Sequence, residues 1–459
     1  MGRMLSPHWR SALARPAGPA EPPISSAAVA SSPPVTAPLR SSVTARTGAL
    51  ENNPLRRVAF WFGIALFLTE LTVLQELAEP VLGFNPYILY ILAPPAVLCG
   101  LFTGSVQRTF QHRAAWYWLG FYVWMIVATP FSQWRGGSIG RVIDGRVNLI
   151  ILVVVGGLMV NWKEARIVFY TIAAAAIVNL LTARLFMDTS GGRLSIALSG
   201  FTIANSNDLA AQLLLVLPFL LFVALDRRRS LAVRCLPFAA IAYGLWVILG
   251  TASRGALIAL IATALVSFVY GSARQRVAGV LAVVLGVALY MTLPGVTRSR
   301  LGTLVGEHHE EALESQAARN YLFMKSLSFT VEHPLFGVGP DQFANYEGGT
   351  SVAEGRVGSW HDTHCSWTQI SSECGIPALV FYVAGVGSAL LLVMRTFRTA
   401  RRNGHKEIAN ACFCYLLGMA GFLVAITFLS NAYRYYVPAM IGLAVGMCFA
   451  ARRQMEPAG

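Results

Sequence analysis

The chain predicts an all-α fold: a polytopic membrane bundle of about twelve spanning helices with one large extramembrane loop. Three observations carry this. Of 459 residues, 55% are hydrophobic and only 13% are charged, where soluble domains run at roughly a quarter charged. Apolar runs close to the ~20 residues needed to cross a bilayer recur along the chain, split by short polar breaks. A single polar stretch, about 295–373, is too long to be a simple connector.

Residues 1–56 form the first unit. Their first fifty are rich in Ala, Pro and Ser and hold no apolar run of signal-peptide length. The composition fits a disordered cytoplasmic arm, an over-extended start or, more remotely, a transit peptide. The second unit, 57–294, contains nine apolar runs, near 58–75, 86–104, 115–131, 147–162, 166–187, 207–225, 235–250, 255–271 and 277–294. The large loop, 295–373, is the third. The fourth, 374–451, holds runs near 375–395, 409–429 and 437–451, before a short tail over 452–459. The runs 147–162 and 437–451 are short for a full span.

Net charge is +14, and Lys163, Lys325 and Lys406 are the only lysines. Such a bias follows either from base composition or from a need for bidentate phosphate contacts, which arginine makes and lysine does not. Position has to decide. With the N-terminus inside, the short inner loops hold Arg108 and Arg113, Lys163 and Arg166, Arg227 to Arg229, Arg274 and Arg276, and Arg398 to Lys406. Arg452 and Arg453 join them, as the positive-inside rule requires. An even number of spans puts both termini in the cytoplasm.

Arginines on the other side run against that rule: Arg135, Arg141, Arg146, Arg193, Arg254, Arg319, Arg356 and Arg434. A long translocated loop escapes it, which accounts for Arg319 and Arg356. Arg135, Arg141, Arg254 and Arg434 sit in short loops close to the membrane, where arginine carries an insertion cost. Binding an anion on the outer side explains them.

Within the large loop, 311–331 has an apolar side (Leu313, Leu322, Leu327, Val331), opens on Glu311 and Glu314, and ends at His333-Pro334, a helix pattern. Gly337-Val338-Gly339-Pro340 follows as a turn where backbone can approach a ligand. A second helix is expected from near His361 into the tenth span, so His361 and His364 would share one face of it. With Asp362 they form a weak zinc pattern lacking a third strong ligand. A neutral histidine held near arginines is otherwise a base or hydrogen-bond partner. His308-His309-Glu310-Glu311 reads as a solvated run. Thr251-Ala252-Ser253-Arg254-Gly255-Ala256 joins two spans and sets an arginine beside a helix N-terminus, a combination suited to phosphate. Ser253 and Gly255 add donor capacity and close backbone access. Glu70 and Asn179 lie inside apolar runs. Asn205, Asn207 and Asp208 open the sixth run as helix caps or as the lining of a polar cavity. The seven cysteines have no metal spacing. Cys365 and Cys374, about 13 Å apart if helical, are expected as free thiols.

Four of these features, in this order, resemble the O-antigen ligase and polymerase family of bacterial envelope assembly: Asn205-Ser206-Asn207-Asp208-Leu209-Ala210; Ser253-Arg254-Gly255-Ala256; Arg319 with a helix and then His333-Pro334-Leu335-Phe336-Gly337-Val338-Gly339; and a histidine motif entering the next span. In ligases that motif is His, then Asn, Ser or Gln, nine residues, Gly, two residues, then Gly, Thr or Tyr. His364 fits with Gly375, whereas His361 would place Ser372 where Gly belongs. Cys365 and Ala378 depart from the pattern.

The resemblance implies a metal-independent, cofactor-free glycosyltransferase in the bacterial inner membrane, with its site facing the periplasm. It would move a glycan from undecaprenyl diphosphate to lipid A-core, as a ligase, or to a second lipid-linked glycan, as an O-antigen or exopolysaccharide polymerase. The partners it implies are these lipids and the bilayer, with no nucleic acid. Carried onto this sequence, it makes Arg254 and His364 catalytic, Arg254, Arg319, Arg141 and Arg434 diphosphate-binding, and His361, His333, Gly337 and Gly339 contacts for acceptor or glycan. A polysaccharide or lipid-linked glycan transporter is the rival of another class; no paired halves are seen, and the reactive residues collect at one face.

Overall fold

The computed structural model describes residues 53–189, 192–196, 205–226, 228–302 and 310–456. Most of the expected N-terminal arm, Arg227 and the His308-His309 pair lie outside them. The fold is all-α. In chain order the helices are α1 (Pro54–Leu71), α2 (Leu74–Leu82), α3 (Ile88–Phe102), α4 (Ser105–Thr109), α5 (Arg113–Ala128), α6 (Arg135–Leu158), α7 (Trp162–Leu185), α8 (Ser206–Val216), α9 (Pro218–Ala224), α10 (Leu231–Gly250), α11 (Arg254–Tyr270) and α12 (Ala273–Met291). They continue with α13 (Gly295–Gly302), α14 (Glu310–Glu332), α15 (Phe343–Ala353), α16 (Ser366–Arg402), α17 (Lys406–Ala425) and α18 (Tyr436–Met455). Two short strands, β1 (Met187–Asp188) and β2 (Ser195–Ile196), pair antiparallel between α7 and α8.

Each of the twelve apolar runs coincides with a helix, the sixth being α8 and α9 joined at Pro218. Among the described residues seven helices are long and apolar enough to cross a membrane; α3 and α11 are shorter apolar helices. The multi-pass architecture therefore stands, while length and composition alone do not reach twelve crossings.

The polar breaks between runs are helix starts. Asn53 accepts from Leu55 and Arg56 N–H ahead of Pro54, Asn161 caps α7, Asn205 caps α8, Ser253 caps α11, and Ser272 with Gln275 forms a capping box on α12. Each satisfies backbone N–H groups that the first turn leaves open. Glu164, in the first turn of α7, also forms a buried ion pair with Arg56, joining the starts of α1 and α7.

One continuous apolar core runs through the bundle. Its most extensive contacts are α1 on α3, α5 on α16, α6 on α18 and α11 on α17. By contrast α12 buries none of its side chains and exposes Val277, Val280, Leu281, Val284 and Val287. An apolar helix of this kind suits lipid contact.

Three sequence expectations change in detail. The helix expected over 147–162 begins at Arg135, so Arg135, Arg141 and Arg146 lie on α6 and not in a loop. The loop helix expected over 311–331 spans Glu310–Glu332. The helix expected from near His361 begins only at Ser366. Residues 361–364 are non-helical, and His361 and His364 do not share a helix face. Trp360 and His364 take left-handed backbone (φ 56° and 53°), which breaks the helix, and Thr363 Oγ1 donates to the Cys365 carbonyl.

Candidate active site

The large loop is fastened to the bundle where α16 breaks. Gly375 adopts φ 83° and ψ 171° inside that helix, and a Cβ there would lie 2.0 Å from the Leu335 carbonyl oxygen. Only glycine fits, which gives the histidine motif's Gly a physical meaning. Along the break, Ile376 N–H donates to Pro334 O (2.8 Å), Val338 N–H to Ser372 O (2.8 Å) and Gly339 N–H to Glu373 O (2.9 Å). Trp124 Nε1 reaches both Leu335 O and Cys374 O, and Phe336 stacks between Trp124 and Phe131. Glu373, 1% exposed, accepts from Asp341 N–H (2.9 Å), Phe343 N–H (3.3 Å) and Tyr433 O–H (2.5 Å). A buried carboxylate so supplied with donors is a staple holding the Gly-Pro turn.

His364 stands at the end of this framework. Its backbone N–H donates to Ser430 Oγ (2.9 Å), while Ser366 Oγ donates to Leu429 O and accepts from Asn431 N–H. The 429–431 loop thus holds the histidine in its left-handed conformation. Ala252, Asp341 and Trp360 also have positive φ (50°, 62° and 56°). Non-glycine residues in this region cost about 1–3 kcal/mol each and cluster at functional sites. The imidazole is half-buried and makes no hydrogen bond to described residues. Burial, then the positive charge of Arg319 and the neighbouring His361, pulls its pKa down to about 4. It is therefore neutral through the physiological range.

Arg254 is the first residue of α11. Ser253 Oγ, expected to serve a ligand, accepts instead from Ala256 N–H. The open side of Gly255 is filled by Phe428, 2.9 Å from where a Cβ would sit. The Arg254 guanidinium donates to Gln316 Oε1 of α14 (3.3 Å), tying the α10–α11 turn to the loop helix. Arg319, one turn further along α14, has a depressed proton affinity from burial and then from Arg254. Neither forms an ion pair among the described residues. The turn and the loop helix so bring together Arg254 and Arg319, with His364 within electrostatic reach of Arg319.

The remaining expected site residues have partners or other positions. Arg141 pairs with Asp341 at 2.7 Å and lies over the Tyr433 ring. Arg434 is exposed at the 429–434 loop. His333 shares a hydrogen bond with Tyr346 O–H (3.1 Å), and His361 is exposed. The faces of Gly337 and Gly339 expected to meet a ligand are filled by the Glu373 backbone and by Ser132. Asn205 is a helix cap, Asp208 accepts from Asn431, and Asn179 donates to Leu71 O, joining α7 to the end of α1. The cysteines, Cys365 and Cys374 included, are free thiols among the described residues. No group of three or more His, Cys, Asp or Glu there is arranged to hold a metal ion.

Sequence reasoning passed over Glu373, Asp341, Tyr433 and Ser430. A carboxylate nine residues after His364, at the mouth of an apolar run, is the one signal that singles out Glu373.

The fold defines a multi-pass, all-α membrane protein. Residues 239–383 match the sequence model of the O-antigen ligase family, a likeness over this stretch that agrees with the resemblance drawn from the motifs. The match runs from within α10 to within α16 and contains Arg254, Arg319, His333, Gly337, Gly339, His361 and His364. The family implies a glycosyltransferase-like ligase or polymerase role on lipid-linked glycans at the membrane. Comparison with curated proteins returns no match.

Proposed function

We propose that the protein is an O-antigen ligase-like glycosyltransferase of the bacterial inner membrane, moving a glycan from undecaprenyl diphosphate to an acceptor hydroxyl, lipid A-core, on the periplasmic face. The observation that carries this is a neutral histidine within electrostatic reach of Arg319, with neither Arg254 nor Arg319 in an ion pair among the described residues. Such arginines favour an anion, and such a histidine can take a proton.

The acceptor oxygen attacks the anomeric carbon. The new carbon–oxygen bond forms as the bond from that carbon to the diphosphate breaks, and undecaprenyl diphosphate leaves with the electron pair. Charge grows on the bridging oxygen, where Arg254 and Arg319 stabilise the transition state more than the ground state. His364 receives the acceptor's proton and passes it to water. A bound diphosphate offsets the charge of Arg319, so the proton affinity of His364 rises when the donor is in place. The free histidine is a weak base, and the donor complex a better one.

An apolar cavity of about 620 Å³ supports the lipid part of this reading. Leu249 and Leu257, on either side of the turn that presents Arg254, line one end, and Arg274 and Gln275 line the other. The isoprenoid tail lies in it with its diphosphate at the arginines, and the 295–373 loop covers the glycan.

The test is transfer by purified protein from glycan-loaded undecaprenyl diphosphate, with lipid A-core added or withheld and a His364→Ala control. Product on lipid A-core alone marks a ligase. Longer lipid-linked chains without core mark a polymerase. No transfer in any arm, with His364→Ala indistinguishable from wild type, points to transport and overturns the enzyme reading.

A further inference from the structure

One outer arginine left without a role is joined to the site by geometry. Arg193 lies in the short segment between β1 and β2. Its Nε–H donates to the Thr251 carbonyl (3.0 Å) and one terminal nitrogen to Asn207 Oδ1 (2.8 Å). The next residue repeats the attachment: Leu194 N–H donates to Gly250 O (2.8 Å), with its side chain 2% exposed. On the other flank, Thr297 Oγ1 of α13 donates to Gly192 O (3.1 Å). The 192–194 segment thus clasps the end of α10, the strained Ala252 turn, the start of α8 and α13. Arg193 is half-buried at this junction and forms no ion pair among the described residues.

Its electrostatic surroundings agree with the geometry. Burial, then Arg300, Arg319 and Arg254 in that order, pull its pKa down to about 10. It therefore stays charged at neutral pH, within reach of three other guanidinium groups. Mutual repulsion of that kind is relieved by an anion. Two of its nitrogens are committed to protein oxygens, so its position is fixed before any ligand arrives, and that preorganisation lowers the cost of binding.

We propose that Arg193 is the fixed cation of the donor-phosphate site: it props the turn that presents Arg254 and adds the positive charge that selects a diphosphate over a monophosphate. This rests on the donor reading given above. A lipid diphosphate carries roughly one negative charge more than a lipid monophosphate and spreads it over two phosphates, so a further fixed cation favours it. A prop without an electrostatic role would weaken both ligands alike.

The experiment is equilibrium binding of undecaprenyl diphosphate and undecaprenyl monophosphate to the purified full-length protein in nanodiscs, for wild type, Arg193→Gln and Arg193→Lys. Arg193→Gln should weaken diphosphate binding about tenfold and monophosphate binding by less than about threefold, from the loss of one charged donor. Arg193→Lys should restore most of the preference, since it keeps the charge. Equal weakening of both lipids, no weakening, or a lysine variant as poor as glutamine each overturns the charge role. Should Arg193→Gln fail to fold, the lysine variant decides: wild-type selectivity supports the proposal and lost selectivity refutes it. If wild type itself does not bind undecaprenyl diphosphate, the donor reading falls and this inference with it. If wild type binds and Arg193→Gln binds as well, only the role of Arg193 falls.

Discussion

Replacing Gly375 with alanine tests whether the break in α16 holds the loop. The new methyl would lie 2.0 Å from Leu335 O and 2.4 Å from Leu335 C, both backbone atoms that no rotamer change can move aside. The left-handed φ costs a non-glycine residue about 1–3 kcal/mol. Relieving the overlap pulls apart the bonds from Ile376, Val338 and Gly339, each worth about 1 kcal/mol net. Together these weaken the attachment by about 4–6 kcal/mol, so the detached loop becomes about a thousand- to ten-thousandfold more populated. Hydrogen exchange read by mass spectrometry on peptides covering 335–343 and 372–378 should accelerate by that factor, with transfer activity lost in parallel. Gly387→Ala, further along α16, where nothing lies within 4 Å, is the control and should leave both unchanged. Exchange in Gly375→Ala within about threefold of wild type would refute the reasoning.

Other outcomes follow from the site. His364 acts deprotonated, so activity falls as pH drops through its pKa. The acid limb of kcat/KM for the donor should lie near pH 4, with the limb of kcat higher because bound diphosphate offsets Arg319. Arg319→Gln should move the former limb upward, yet by less than half the distance to 6.5, because burial is the larger cause; a wild-type limb already at the ordinary histidine value contradicts this. Arg254→Lys should slow transfer about a hundredfold, since lysine keeps the charge without the fork; a wild-type rate would exclude a bidentate role. Treatment with a chelator should leave the rate within about twofold, and a loss reversed by a divalent cation would overturn the metal-independent mechanism.

What the sequence disclosed divides along physical lines. The bilayer fixes the length of an apolar run, so all twelve runs could be read and each meets a helix. Local rules located α14 to within a residue at each end, because its apolar side and the His-Pro stop are short-range signals. The start of α6 was missed because its first two turns are Gly- and Arg-rich, and hydropathy stops where charge begins. Residues 361–364 read as helical in the sequence because nothing nearby announces that Ser430, 66 residues away, holds His364 in a left-handed turn. Arg141 was grouped with the diphosphate arginines because its partner Asp341 is 200 residues distant. The role of Arg193 depends on Thr251 and Asn207, and no periodicity connects those three.

The hydrogen bond from His364 to Ser430 also bears on timing. Helices leave the ribosome in order, and Arg193, Arg254 and Arg319 are all made before His364. The loop that fixes the histidine backbone follows α17, close to the end of the chain. The turn that presents Arg254 leans on the same late stretch, since Phe428 fills the open side of Gly255 and α11 packs on α17. The arginine turn and the histidine are thus both completed by residues 428–430, so a chain that stops short of them should lose both supports at once and not the histidine alone.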